Sequence, residues 1–184
     1  MLDDTRAVRL PPVLDPDVFS PAERSALRLD GECVPLGLSD VPVDVPVSRD
    51  VRAASLASAV RRHDLVVDLR TAAWVHGAAA TLPQPLTLAV DVLSARRTKL
   101  VRPAPREVRF RPDDLERLSG VLVTTPLKTA FDLLRLDLDP EVEPIAARLL
   151  HVAGLCPSIA AALAQLQPGC PHKQLGIDRL AALA

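Results

Sequence analysis

Apolar residues recur along this chain in two rhythms, a period of two that marks strands and a period near 3.6 that marks helices. The clearest pairing of the two is GVLVTTPLKTAFDLLR, residues 120–135. Gly120 opens a run rich in β-branched residues, Val121-Leu122-Val123, and Thr125 stands where a helix wants an N-cap oxygen. Pro126 then takes the first helical position, where its missing N–H costs nothing. Leu127, Ala130, Phe131 and Leu134 follow at i, i+3, i+4 and i+7, the apolar stripe of a helix that packs on a core.

Ahead of that unit the pattern is more broken. Residues 1–17 read as an extended arm interrupted by proline. Ser20-Pro21-Ala22-Glu23 combines an N-cap, an N1 proline and an N3 acid, which predicts a short helix over 21–29. The alternating VPVDVPV at 41–47 reads as an edge strand or polyproline-like ribbon, because proline cannot donate to a ladder. Ser48 caps a helix predicted over 49–62, DLVVD at 64–68 predicts a short buried strand, and a helix over 71–79 carries Trp74. Further strands are predicted at 86–92 and 107–111. In the second, Arg109 and Arg111 share one face and Val108 and Phe110 the other. Pro112-Asp113-Asp114 starts a short helical turn.

Beyond Pro140 the pattern is helical throughout: 141–153 closed by Gly154, 157–167 closed by Pro168-Gly169, and a last helix from His172 onward. These elements predict an α+β fold, with a mixed α/β core domain around a small antiparallel or mixed sheet, followed by a C-terminal helical subdomain. The expected division is an N-terminal arm with one helix and a ribbon over 1–47, an α/β core over 48–137, and a three-helix subdomain over 138–184.

Composition narrows the class. The chain of 184 residues is 48% hydrophobic but only 2% aromatic, so its core is built from small aliphatic side chains. The formal net charge of −1 argues against wholesale wrapping in nucleic acid. Locally the balance differs. Arg96, Arg97, Lys99, Arg102, Arg106, Arg109 and Arg111 stand against the single acid Glu107. Cys33, Cys156 and Cys170 are widely spaced with no CxxC pair, which fits reduced thiols in a cytoplasm. No export signal and no run of about 18 apolar residues is present, so a soluble, cytoplasmic protein without a membrane partner is expected.

Candidate chemistry is sparse. His76, two residues after Trp74, reads as a hydrogen-bonded structural histidine, and no further ligands lie at zinc spacing. Cys156, Cys170 and His172 match no common zinc pattern and read as two buried thiols and a surface histidine. Asp91 and Asp68 lie on predicted strands, but neither is followed by the Glu/Asp-x-Lys that a metal-dependent nuclease would need. No nucleophile elbow, HExxH or phosphate loop is found. The expectation is a protein with no catalytic residue, metal or cofactor. Arginines alternating along a strand would give a face that neutralises phosphates, and few aromatics accompany it to stack on single-stranded bases.

Three segments in this order resemble a large group of actinobacterial proteins related to the AbiEi-type antitoxins of type IV toxin–antitoxin systems. They are RTAAWVHGA (70–78), TLAVDVLSARRTKLVRPAPREVRFR (87–111) and GVLVTTPLKTAFDLLR, and the helical tail is similar as well. The resemblance covers about residues 30–184 and implies a mixed α/β middle domain. In that family an N-terminal winged helix binds operator DNA, the remainder opposes a nucleotidyltransferase-like toxin, and many relatives end in a Vsr-like endonuclease domain. Residues 20–47 offer one helix and a ribbon, a remnant rather than a complete winged helix of roughly three helices. The sequence also ends at Ala184, ahead of any Vsr-like domain.

The resemblance thus implies a non-enzymatic bacterial antitoxin-like transcriptional regulator that binds duplex DNA, a partner protein, or both. Arg96, Arg97, Lys99, Arg102, Arg109 and Arg111 are the candidate nucleic-acid-binding residues. The alternatives are a protein-interaction module without DNA binding, and a nuclease or nucleotidyltransferase-like remnant using Asp91 or Asp68.

Overall fold

In the computed structural model, residues 11–60, 64–92, 104–167 and 169–183 are described. Seven helices and seven strands are found among them. The fold is α+β with a cluster of C-terminal helices, in agreement with the periodicities.

The N-terminal part holds helix α1 (Pro21–Leu29) and an antiparallel hairpin of β1 (Cys33–Leu36) and β2 (Ser39–Pro42). Ser20 and Glu23 form the expected capping box. None of the residues of α1 is buried; what holds the helix is charge. Asp40, almost wholly buried on β2, receives Arg24 at 3.1 Å and Arg28 at 3.5 Å from two successive turns of α1. Leu14, fully buried, donates its backbone N–H to the Asp40 carbonyl and ties the preceding arm to the hairpin. Gly37 sits in the hairpin turn at φ +60°, and a Cβ there would collide with Ser55 and touch the ring of Trp74. The ribbon therefore rests directly on the core.

Helix α2 (Arg49–Ala54) begins at the expected Ser48 cap but is shorter than the predicted 49–62. The Ser55 hydroxyl donates to the Arg52 carbonyl at 2.7 Å, a local bond that competes with continuation of the helix. The chain proceeds through turns to Val60.

A five-stranded mixed sheet forms the centre, in the order β5-β4-β3-β7-β6. Its strands are β3 (Leu65–Val67), β4 (Leu88–Asp91), β5 (Arg106–Val108), β6 (Leu115–Leu118) and β7 (Val121–Thr124). β3 runs antiparallel to β4 and parallel to β7, and β4 runs parallel to β5. A 3-10 turn at Pro112–Asp114 leads into β6, a strand that the periodicities do not predict. β6 and β7 are joined by Ser119-Gly120, both at positive φ (45° and 85°), the conformation of a two-residue type I′ hairpin turn. The Ser-Gly pair between LERL and VLVT was the available signal.

Helix α3 (Leu69–Val75) is buried on every side from Thr71 to Val75, with Arg52 stacked 4.9 Å from the centre of the Trp74 ring. Helix α4 (Pro126–Leu136) follows β7 as predicted, but Thr125 makes no side-chain cap. Instead the Thr129 hydroxyl turns back onto the Thr124 and Thr125 carbonyls, at 3.1 and 2.9 Å. Helices α5 (Val142–Ala153), α6 (Pro157–Gln165) and α7 (Lys173–Ala181) complete the fold. Gly154 closes α5 in the left-handed conformation, φ +65°. Ala130, Phe131 and Leu134 of α4 join Ile145, Leu149, Ala160, Ile177 and Leu180 in the largest apolar cluster. Gly176 of α7 approaches α4 so closely that a Cβ would lie 2.8 Å from the Phe131 ring. No single helix among the described residues is long and apolar enough to cross a membrane.

Candidate functional site

Helix α4 has a second stripe. Lys128, Asp132 and Arg135, at i, i+4 and i+7, lie beside the apolar one and are as deeply buried. An amphipathic surface helix would turn such residues to water; here they meet β5 and β3. Asp132 accepts from Arg135 Nε at 2.8 Å and pairs with Lys128 Nζ at 3.2 Å through the same oxygen. Its other oxygen receives Arg106 Nη2 at 2.8 Å. Arg106 reaches on with Nε, 3.0 Å from Asp68 Oδ2.

The position of Asp68 follows from the chain. Val67 ends β3, so Asp68 falls on the opposite face, the one that holds Val66. Leu69 then adopts φ +47°, a conformation that costs a non-glycine residue roughly 1–3 kcal/mol. Its N–H donates to Asp68 Oδ1 at 2.8 Å, which fixes the carboxylate. Arg106 pairs with Ala89 of β4, and Ala89 with Val66 of β3, so its side chain rises from the same face. Arg135 Nη1 donates to the Pro171 carbonyl at 2.9 Å and joins the loop before α7 to the network.

The electrostatics are uneven. Burial opposes the charge on Asp132, yet Lys128, Arg135 and Arg106 together outweigh it and hold the carboxyl below its ordinary range. Burial pushes the Asp68 carboxyl up; Arg106 pulls against that, and the Asp132 charge adds to the rise. For Arg106 burial is again the largest influence, but the two carboxylates overcome it and raise its pKa. Arg106 bridges the two acids. Asp68 is thus occupied by an arginine. Among the described residues no group of three or more His, Cys, Asp or Glu is placed to hold a metal ion.

The six basic residues singled out from the sequence divide. Arg96, Arg97, Lys99 and Arg102 lie outside the described residues. Arg109 is exposed, whereas Val108 and Phe110 are buried, the alternation the pattern called for. Arg111 is half-buried and turns toward the helices, donating to the Leu166 carbonyl at 3.3 Å and lying 3.9 Å from Asp113. Arg106, Lys128 and Arg135 were not among the six. Lys128 and Arg135 stand with Asp132 at i, i+4 and i+7 beside the apolar stripe of α4, a spacing that suits a solvated face equally well, and no sequence signal joins Arg106 to them.

His76 caps the end of α3 and is buried. Its Nε2 lies 2.7 Å from the Thr124 carbonyl, and Thr124 Oγ1 lies 2.7 Å from Thr129 Oγ1. Burial pushes the imidazole pKa down, against the pull of the Thr124 carbonyl and of Glu116. The histidine is therefore neutral near pH 7 and braces α3 against β7. Of the cysteines, Cys33 is buried, Cys170 is half-buried and Cys156 is exposed, so the expectation of two buried thiols in the C-terminal helices is corrected. Cys156 precedes Pro157 at the solvent-facing start of α6.

Fold and site together define an α+β domain with a charged, largely buried cluster beside an edge strand. Residues 65–182 match the family model of the AbiEi antitoxin C-terminal domain, and the chain belongs to the AbiEi antitoxin family. No curated protein and no solved structure gives a significant match.

Proposed function

We propose that this protein is an antitoxin-type regulator that acts by binding, with Arg96, Arg97, Lys99, Arg102, Arg109 and Arg111 contacting duplex DNA and the helical side meeting a nucleotidyltransferase-like toxin in the cytoplasm. The observation that carries the DNA part is Arg109, which is exposed just past β5, an edge strand, at the end of a segment containing Arg96, Arg97, Lys99 and Arg102. Phosphate contact needs cations that no internal carboxylate already holds, and Arg109 has no ion pair among the described residues. In this reading 1–47 is an arm, 48–137 the core that presents the basic segment, and 138–184 the helical support.

A partner-only module is the second reading. It is favoured by Arg24 and Arg28, which are drawn to Asp40 and so withdrawn from any nucleic acid. It is also favoured by Ile159, Leu163 and Leu166, three exposed apolar residues on one side of α6 and its end. The nuclease-remnant reading finds no support at Asp68, since Arg106 fills the space beside its carboxylate.

The deciding experiment is duplex binding over a range of salt by the natural chain and by Arg96→Ala/Arg97→Ala/Lys99→Ala. Losing three phosphate contacts lowers the slope of log K against log salt by about 3. An unchanged affinity and slope would remove the DNA part and leave partner binding.

A further inference from the structure

The five ionic side chains behind β5 do not sum to zero. Arg106, Lys128 and Arg135 carry three positive charges against the two carboxylates Asp68 and Asp132. A surplus charge withdrawn from water is unfavourable unless a counter-charge reaches it. At the rim, Glu107 and Arg109 offset one another, so the surplus stays positive.

Donors are in excess too. An ammonium has three N–H groups and a guanidinium five. Lys128 meets the single acceptor Asp132 Oδ1. Arg106 uses Nε and Nη2, and Arg135 uses Nε and Nη1. Lys128 Nζ, Arg106 Nη1 and Arg135 Nη2 thus keep donors without an acceptor among the described residues. All three side chains line one cleft of about 450 Å³ between β5 and α4, which Gln167 and Pro171 also line.

We propose that this cleft binds a phosphate group, with Lys128 as its principal ligand and Arg106 and Arg135 completing the cradle. Three donor groups on separate side chains suit a tetrahedral anion with several acceptor oxygens better than a halide. Lys128 is only 6% exposed, so the anion has to enter the cleft. Inorganic phosphate and the phosphate of a mononucleotide can do so, whereas the backbone of an intact duplex is too broad. Arg109, which the DNA reading uses, also lines this cleft, so the two readings are told apart by Lys128, which the DNA reading does not use.

The test is thermal unfolding of the full chain in chloride, in inorganic phosphate and with AMP, at matched ionic strength. Saturating ligand raises Tm by about 3 °C or more in the natural chain. Lys128→Met leaves two cations on two carboxylates, so it unfolds in chloride no earlier than the natural chain and loses the phosphate-dependent rise. Lys128→Gln, which keeps a donor without the charge, loses it as well. A response to both ligands assigns inorganic phosphate as sufficient; a response to AMP alone assigns a nucleotide. The proposal is overturned if neither ligand shifts the natural chain, or if the Lys128 variants respond as fully as it does. A natural chain that shifts with neither ligand overturns the proposal even where one variant fails to fold, and Lys128→Met and Lys128→Gln are two separate chances to place a positive shift at the cleft.

Discussion

Among the described residues, two of the buried polar clusters are held by opposite physics. The His76, Thr124 and Thr129 cluster is neutral: each contact is a hydrogen bond of ordinary length, largely to backbone carbonyls. The Asp68, Arg106, Asp132, Lys128 and Arg135 cluster is ionic and linked end to end through Arg106. The first joins β7 to the start of α4 and, across 48 residues of sequence, to α3, by hydrogen bonds that need no counter-charge. The second joins β3, β5, α4 and the loop before α7 by charges that none of those elements could bury alone. Both clusters tie together segments far apart in sequence; one does so by neutral dipoles, the other by charges that must balance.

That contrast is tested most severely at Asp132. Replacing Asp132 with Ala leaves three buried cations with only Asp68 between them, and a loss of about 3–5 kcal/mol in urea unfolding is expected. A loss within experimental error of zero would mean that the ionic cluster is already solvated. Thr129→Val keeps the shape and removes the hydroxyl that serves Thr124 and Thr125, so the same measurement is expected to fall by about 1–2 kcal/mol. If Thr129→Val cost as much as Asp132→Ala, the distinction between the clusters would collapse.

The gentlest test is pH. The imidazole of His76 is held below its unfolded value of about 6.5, so the folded state takes up its proton less readily. Stability from this group is complete above about pH 6.5 and declines as pH falls through the lowered folded-state pKa. Asp132, whose carboxyl is also lowered, keeps its contribution down to about pH 4 and loses it only below. Asp68, whose carboxyl is raised, gains stability as pH falls, so a decline between about pH 5 and 6.5 belongs to the neutral cluster. His76→Gln is expected to flatten the stability profile there, read by urea midpoints at each pH; an unchanged profile would assign it to another group.

Most of the architecture was legible because the chain signals its elements locally. Ser20 with Glu23, Ser48, Pro126 and Gly154 all fall at or beside the helix ends they were expected to mark. Local signals failed at two places. α2 stops early because Ser55 bonds back to Arg52, and β6 was missed because LERL carries too little alternation without its partner β7. The ionic cluster could not be read at all. Nothing in the spacing of Lys128, Asp132 and Arg135 separates a solvated face from a buried one until Arg106 and Asp68, far apart in sequence, are brought opposite them.

The two outermost strands of the central sheet have one more consequence. β5 is three residues long and carries Arg106-Glu107; β6 is four long and carries Glu116-Arg117. Unpaired strand borders of a sheet invite another chain to add on, and short borders studded with both signs of charge discourage it. An almost neutral molecule with an aliphatic interior is thereby guarded, at both rims, against polymerising through its own backbone.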